Sequence, residues 1–221
     1  MRVRSITPIS VDADELARRQ QRYERMLPEG WTLDLENIPA TPETPNQLAS
    51  PEQIRASERV GVEAGRDTDT DRFDALLPDC VLDPGVVELD RVAGVPVLGI
   101  TRLTAHFLAA CGQRFGVITR NEVIGDEYRS VIERYGLAPY FDDVYVLGLS
   151  VDDIANDAIW NDSIERVATV AANNGTTILI NGCSAVEVTV AGGSVRIVDP
   201  TALAFQVAEL ATRLDLLSQA G

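Results

Sequence analysis

Two of the three cysteines lie where a protein could use a thiol for chemistry. Cys80 stands in the run Asp-Cys-Val-Leu-Asp-Pro-Gly, and Cys183 stands in Asn-Gly-Cys-Ser-Ala. Each follows a short apolar run, at 73–77 and 177–180, that predicts a buried strand. Ligands of open α/β folds gather beyond the carboxyl ends of the strands. The pattern therefore favours acid–base chemistry by two thiols that act on opposite sides of one substrate.

The composition removes most other catalytic groups. The chain has no lysine and a single histidine, His106, so all 19 basic residues are arginine. Without lysine there is neither an internal Schiff base to pyridoxal phosphate nor a phosphate-loop lysine. One histidine and three widely spaced cysteines do not form a zinc pattern. We therefore expect neither a histidine-rich metal site nor a lysine-dependent cofactor site, and proton transfer by thiols, carboxylates, tyrosines or His106.

Charge and length limit the partners. The chain has 221 residues, of which 45% are hydrophobic, and a formal net charge of −15. This length suits one large domain or two small ones. The negative charge argues against nucleic acid and against anionic membrane surfaces. We expect a cytoplasmic protein with reduced thiols that acts on a small molecule, with no nucleic-acid or membrane partner.

Strands and helices alternate along the whole chain. Apolar runs predict strands at 2–7, 31–38, 73–77, 95–100, 114–119, 143–149, 177–180 and 195–199. Amphipathic segments predict helices at 12–27, 51–65, 84–92, 101–111, 122–135, 151–173 and 201–217. This alternation is typical of an α/β fold with mainly parallel sheets that are flanked by helices.

Several residues at the predicted strand ends are candidates for a site. We interpret Cys80 and Cys183 as standing at helix entrances, where backbone N–H groups and the helix dipole stabilise a thiolate. A structural role for either cysteine stays open, because free cysteine is among the most buried side chains. Thr119 and Arg120 follow another strand and could line a pocket, although a solvated charge is the plainer interpretation of Arg120. The first strand similarly leads to Pro8-Ile9-Ser10.

Taken together, four motifs resemble the aspartate/glutamate racemase superfamily, and most closely its hydantoin and allantoin racemase branch. The first is Asp-Ala at 74–75 with Cys-Val-Leu-Asp-Pro-Gly at 80–85. The others are Pro-Val-Leu-Gly-Ile at 96–100, Gly-Gln-Arg-Phe-Gly-Val-Ile-Thr at 112–119 and Asn-Gly-Cys-Ser-Ala at 181–185. The resemblance is clear from Phe73 to the C-terminus and looser before it.

The resemblance implies two similar α/β lobes with the active site in the cleft between them. Residues 1–97 and 200–221 would form the lobe that carries Cys80, and residues 98–199 the lobe that carries Cys183. It also implies a homo-oligomer. The reaction would be a cofactor-independent racemisation at a carbon next to a carbonyl, on a hydantoin-, allantoin- or amino-acid-like substrate.

The resemblance also implies roles for residues near the cysteines. Cys80 and Cys183 would exchange a proton with opposite faces of the substrate. Backbone N–H groups beside Val81 and Ser184 would stabilise an enolate-like oxygen. The remaining substrate-binding candidates are Pro8, Ser10, Thr119 and Arg120.

Three positions depart from the family pattern. Ile9 stands where the family usually has an asparagine, Arg102 where it has a glutamate, and Arg120 where it has a second threonine. An arginine that faces the cleft would favour a substrate with a carboxylate, because guanidinium binds one through two parallel donors. A cis–trans isomerase or decarboxylase of a small dicarboxylate, and a non-catalytic ligand-binding relative, stay open as alternatives.

Overall fold

The computed structural model describes residues 1–150, 153, 157–189 and 193–217. The chain divides into two compact units: Met1–Leu103 together with the chain from Thr201 onwards, and Thr104–Pro200. Each unit has a parallel sheet flanked by helices. The predicted α/β class is therefore confirmed. Within the described residues, no helix is both long enough and apolar enough to cross a membrane.

The first unit is built on a three-stranded parallel sheet in the order β2-β1-β3. Its core joins the sheet to two helices through side chains such as Val62, Leu76 and Leu89. The strands are β1 (Arg2–Ile6), β2 (Thr32–Glu36) and β3 (Ala75–Pro78). The helices are α1 (Ala13–Glu24), α2 (Pro51–Arg66) and α3 (Val86–Val92), with the start of α4 (Ile100–Ala110) and almost all of α7 (Pro200–Arg213).

Two helices of this unit begin at the residues that the sequence predicts. Asp12 Oδ1 accepts a hydrogen bond of 2.8 Å from the backbone N–H of Glu15 at the start of α1. Ser50 Oγ accepts one of 3.3 Å from the N–H of Gln53, and Pro51 occupies the first helical position of α2. Such caps satisfy N–H groups that have no partner inside the helix.

The strand predicted at 95–100 is wrong for most of its length. Only Val97 pairs with β3, in an isolated parallel bridge to Leu76. Pro96 has no N–H and so cannot extend the ladder as a donor. Farther on, α4 begins at Ile100, because the side chain of Asp83 caps that helix.

The second unit is built on a four-stranded parallel sheet in the order β5-β4-β6-β7. Trp160, Ile164 and Leu179 are fully buried in its core. The strands are β4 (Phe115–Thr119), β5 (Phe141–Val146), β6 (Ile178–Asn181) and β7 (Arg196–Val198). The helices are the rest of α4, α5 (Glu122–Arg134), a 3₁₀ turn at Ala138–Tyr140 and α6 (Asp157–Asn173). The helix predicted at 151–173 matches α6 from 157; residues 151, 152 and 154–156 lie outside the described part.

Gly85 provides a test of the packing in the first unit. Its φ is +68°, and a Cβ atom there would overlap Cγ2 of Val62. Gly85→Ala combines backbone strain of about 1–2 kcal/mol with an overpacking cost of about 1–3 kcal/mol. Gly30→Ala is the matched control, because Gly30 has a φ of +76° and open space around it. We expect urea unfolding to show a clearly larger loss for Gly85→Ala, and equal losses would contradict the close approach to Val62.

Candidate active site

Cys80 lies in a turn that follows β3. Its N–H donates to Pro78 O at 2.8 Å, and its own carbonyl accepts from Asp83 N at 3.0 Å. The backbone N–H of Leu82 points at the thiol, with a distance of 3.5 Å from nitrogen to Sγ. Cys80 is only 8% exposed. A donor aimed at sulfur favours the thiolate form, which is the reactive one.

The Cys80 turn is attached to the N-terminus of α4. Asp83 has a positive φ of 48°, and its carboxylate accepts hydrogen bonds from the backbone N–H groups of Thr101, at 3.1 Å, and Arg102, at 2.7 Å. The hydroxyl of Thr101 donates to Val81 O at 2.6 Å. The prediction that Cys80 stands at a helix entrance is wrong, because α3 begins only at Val86. The Cys80 loop instead supplies the cap of a different helix.

A buried charged network lies directly before Cys80. The Asp79 carboxylate is fully buried and accepts a short hydrogen bond from the Tyr23 hydroxyl. Arg19 Nη1 lies 3.5 Å from Asp79 Oδ2, and Arg19 Nε donates to Glu15 Oε1 at 2.7 Å. Burial, with the nearby Asp79 charge, raises the pKa of Tyr23 well above its usual range, so this hydroxyl stays protonated.

Sequence reasoning missed this network, although a signal for it exists. Glu15, Arg19 and Tyr23 are four residues apart and so share one face of α1. Polar residues at that spacing usually form a solvated face. Here Asp79 supplies the partner that allows the polar face to be buried.

The segment after β1 reaches the same end of the first sheet as Cys80. Ile6 pairs in register with Pro78, so Pro8 and Cys80 each stand two residues beyond that pair. Pro8 O accepts a hydrogen bond of 2.6 Å from Ser57 Oγ, and Ser10 is exposed. The structure thus brings Pro8 and Cys80 to the same end of this sheet, where the parallel strands β1 and β3 finish.

Cys183 is positioned by the residue before it. The N–H of Gly182 donates to Ile118 O at 2.8 Å, and a Cβ atom at Gly182 would overlap that carbonyl oxygen. Asn181 Nδ2 donates to Cys183 O at 3.0 Å and to Val186 O at 3.1 Å. These contacts hold a tight loop in which Cys183 is half-buried.

The prediction of a helix entrance at Cys183 is wrong as well. Ser184 is buried in a turn, and the next element in the described part of the second unit is β7 at Arg196. Residues 190–192 lie outside the described part. Cys183 packs against the apolar core of the second unit, which includes Ile118 on β4 and Val186 in the same loop.

Thr119 and Arg120 lie at the end of β4, beside the Cys183 loop. Ile118 pairs in register with Asn181, so Arg120 and Cys183 each stand two residues beyond that pair. Arg120 is 6% exposed. Burial lowers the pKa of its guanidinium, and the Cys183 thiolate opposes that effect. By reciprocity, the Arg120 charge favours the thiolate form of Cys183. Thr119 is buried, and its hydroxyl donates to Asn121 O at 3.2 Å.

Arg102 has a structural role. Its guanidinium forms an ion pair with Asp90 on α3 and donates to Val97 O. Of the two arginines that could bind a substrate carboxylate, Arg120 is therefore the better candidate. His106 is exposed on α4, with its ring centroid 5.6 Å from that of Tyr135. Among the described residues, no group of three or more His, Cys, Asp and Glu side chains could hold a metal ion.

A broad groove in the first unit contains none of the candidate residues. It has a volume of about 970 Å³ and runs along α2 and the loop near Pro39. Its lining is rich in charged side chains, among them Glu43, Arg55, Glu58 and Arg59. Arg59 and Glu43 already pair at 2.8 Å. The groove adjoins the end of the segment that carries Cys80, because Glu58, one of its lining residues, accepts a hydrogen bond of 3.1 Å from the N–H of Gly85.

Comparisons with known proteins give a family match and several solved structures with a similar fold. A family model described as Asp/Glu/Hydantoin racemase matches residues 16–208. Allantoin racemase from Klebsiella pneumoniae has a TM-score of 0.83 at 18% identity, over 100% of this chain and 91% of that one. Allantoin racemase from Pseudomonas fluorescens has a TM-score of 0.80 at 17% identity, and the match covers 100% of this chain and 94% of that one. Maleate isomerase Iso from Pseudomonas putida S16 has a TM-score of 0.63 at 16% identity, and the match covers 98% of this chain and 93% of that one. No curated protein matches the chain by sequence.

Gly182→Ala tests how Cys183 is positioned. The added methyl group would overlap Ile118 O, so β6 must shift and carry the thiol with it. We expect the rate of alkylation of Cys183 by iodoacetamide to change by about tenfold, because a displaced thiol has a different exposure and a different thiolate fraction, and both control cysteine reactivity. Gly136→Ala is the control, because it strains the backbone in open space. Equal alkylation rates in both variants would exclude the proposed constraint.

Tyr23→Phe tests the buried network. The substitution removes one hydrogen bond from a fully buried carboxylate at Asp79. We expect the free energy of unfolding to fall by about 1.5–3 kcal/mol, the range for hydrogen bonds to charged groups. Tyr140→Phe, at an exposed position, should change it by less than about 0.5 kcal/mol. Denaturant titration of both variants measures the difference, and an unaffected Tyr23→Phe protein would refute the role of this hydroxyl.

Proposed function

The chain belongs to the Asp/Glu/hydantoin racemase family and is an isomerase of the racemase type, and we propose that Cys80 and Cys183 form its acid–base pair. The observation that carries the proposal is that each unit presents one cysteine just beyond the carboxyl end of a strand of its parallel sheet. Each thiol also has a neighbour that favours its thiolate: the Leu82 N–H for Cys80 and the Arg120 guanidinium for Cys183.

In the proposed reaction, one cysteine acts as thiolate and the other as thiol. The thiolate removes the proton from a carbon next to a carbonyl, and the electron pair of the broken C–H bond moves onto the carbonyl oxygen. The thiol then donates its proton to the opposite face of the carbon. The two cysteines end with exchanged protonation states, which are the states needed for the mirror-image substrate. An unperturbed thiol pKa near about 8.5 makes such exchange accessible near neutral pH.

The developing oxyanion needs donors. We assign this role to the backbone N–H groups of Val81 and Ser184, which directly follow the two thiols in the chain. Oxyanion donors of this kind are worth about 10²–10³-fold in rate. Because the carbonyl delocalises the negative charge, the proposed reaction requires neither a metal nor an organic cofactor.

The substrate class that we propose is hydantoin-, allantoin- or amino-acid-like. The two allantoin racemases with the same fold support a cyclic ureide or a related amino-acid derivative. The similarity to a maleate isomerase favours one alternative, cis–trans isomerisation of a small dicarboxylate on the same fold. In that alternative, one cysteine thiolate would add to the carbon–carbon double bond, whose electron pair moves towards the conjugated carboxylate. The resulting single bond would rotate, and departure of the thiolate would then re-form the double bond in the other configuration.

Proton NMR in deuterium oxide tests the proposal. Single enantiomers of allantoin, hydantoins, aspartate, glutamate and N-carbamoyl amino acids are incubated with the protein, and the signal of the hydrogen at the chiral carbon is followed. We expect that signal and the optical purity to disappear together for one class of substrate. Cys80→Ser and Cys183→Ser should each lower the rate by about 10²–10⁴-fold, the usual contribution of general acid–base catalysis.

Cys111→Ser is the matched control, because Cys111 is an exposed cysteine that the mechanism does not use. It should exchange at the wild-type rate. If both Cys80→Ser and Cys183→Ser exchange the hydrogen at the chiral carbon at the wild-type rate, the two-thiol mechanism is contradicted. Consumption of maleate without exchange in the racemase panel would favour the isomerase.

A further inference from the structure

We propose that Arg120 binds an anionic group of the substrate beside Cys183, and that the substrate is therefore a small carboxylate. This inference rests on the proposed function in two respects: the bound molecule is the substrate, and Cys183 exchanges a proton with it. The anion-binding role itself concerns Arg120 and Cys183 alone, which both belong to the second unit.

The first argument is position. β4 and β6 are neighbouring parallel strands, and Ile118 is in register with Asn181. Arg120 and Cys183 follow that pair by the same number of residues, and the hydrogen bond from Gly182 N to Ile118 O keeps the two chains together at this point. Neighbouring strands lie about 4.8 Å apart. A small molecule that reaches the sulfur of Cys183 is therefore within reach of the long Arg120 side chain.

The second argument is burial. Arg120 is 6% exposed, whereas Cys183 is half-buried and thus open to a small molecule. Burial disfavours a charged guanidinium, and the negative charge at Cys183 offsets that cost. When the thiolate takes up a proton from the substrate, that negative charge is lost. A substrate carboxylate at the same place would keep the guanidinium compensated through the reaction.

The third argument is chemical fit. A guanidinium presents two parallel N–H donors that match a carboxylate, and such charge-assisted bonds are stronger where water is excluded. Arg102 and Arg114 are each paired with an acid, Asp90 and Asp142 respectively. The charge of Arg120 interacts with that of the Cys183 thiolate. The geometry favours amino acids, N-carbamoyl amino acids and dicarboxylates whose carboxylate is close to the reacting carbon, and it disfavours neutral hydantoins.

The test uses two alkylating reagents that differ in charge. In a Cys80→Ser, Cys111→Ser background, Cys183 is the one remaining cysteine of the chain. Its sulfur displaces iodide from either iodoacetate, which is anionic, or iodoacetamide, which is neutral, with formation of a sulfur–carbon bond. Both reagents need the thiolate, so the ratio of their rates cancels any effect on thiol ionisation. It reports recognition of the anion alone.

We expect Arg120→Gln to lower the ratio of iodoacetate to iodoacetamide rates by about 10- to 100-fold, the range for hydrogen bonds to a charged group. Arg120→Lys, which keeps the charge but loses the paired donors, should lower it less. Arg114→Gln is the control, because Arg114 precedes the opposite end of β4 and is exposed. It should leave the ratio unchanged.

Three results would overturn the inference. Equal slowing with both reagents would mean that Arg120 acts only on the ionisation of Cys183. Unchanged rates with both reagents would mean that Arg120 affects neither the thiol nor the anion. No reaction with either reagent would mean that small molecules do not reach Cys183. If Arg120→Gln does not fold, a second experiment uses the protein with Arg120 intact and Cys183 as its one cysteine. We then expect malonate, but not the neutral malonamide, to protect Cys183 from iodoacetamide. Equal protection by both compounds would overturn the inference.

The result is separable from that of the proton-exchange experiment. If the ratio of alkylation rates depends on Arg120 but no substrate exchanges its hydrogen, the anion site is supported and the racemase mechanism is contradicted. If neutral hydantoins exchange their hydrogen and the ratio does not depend on Arg120, the racemase mechanism is supported and the anion site is contradicted.

Discussion

The carboxylate of Asp83 connects the chemistry of the first unit to its architecture. It accepts two backbone N–H groups at the start of α4 while its own residue belongs to the Cys80 turn. To do so, Asp83 adopts a positive φ, and Gly99 approaches so closely that a Cβ atom there would lie 2.9 Å from Oδ2. One side chain therefore satisfies a helix end and sets the path of the loop that carries the thiol.

The two thiols are held in chemically different surroundings. Cys80 is nearly buried, receives a backbone N–H and follows a residue whose carboxylate is fully enclosed by Tyr23 and Arg19. Cys183 is more open and has a guanidinium as its charged neighbour. In a reaction that uses both, this difference means that the two directions of proton transfer need not start from equally populated states of the enzyme.

Much of the fold, and the position of Cys80 and Cys183 just beyond a strand, could be predicted from the sequence, because apolar runs and caps are local signals. Asp12 and Ser50 each begin a helix as predicted, since a side-chain acceptor and the N–H that it binds are three residues apart. The segment at 95–100 failed because its apolar pattern matches a strand, whereas Pro96 and the Asp83 cap decide otherwise. Asp79 interacts with Arg19 and Arg102 with Asp90, which are residues far apart in the sequence. No local sequence pattern reveals such pairs.

The hydrogen bonds of Asn181 have a consequence for how this fold can diversify. One amide group binds the carbonyls of both Cys183 and Val186, so the loop is closed before the chain continues towards β7. Farther along, Glu187 and Thr189 are held by a different side chain, the amide of Asn161 on α6. Two separate amide groups therefore fix the thiol loop and the segment after it, so substitutions at 187–189 can alter the surroundings of the site while the hydrogen bonds that close the thiol loop are kept.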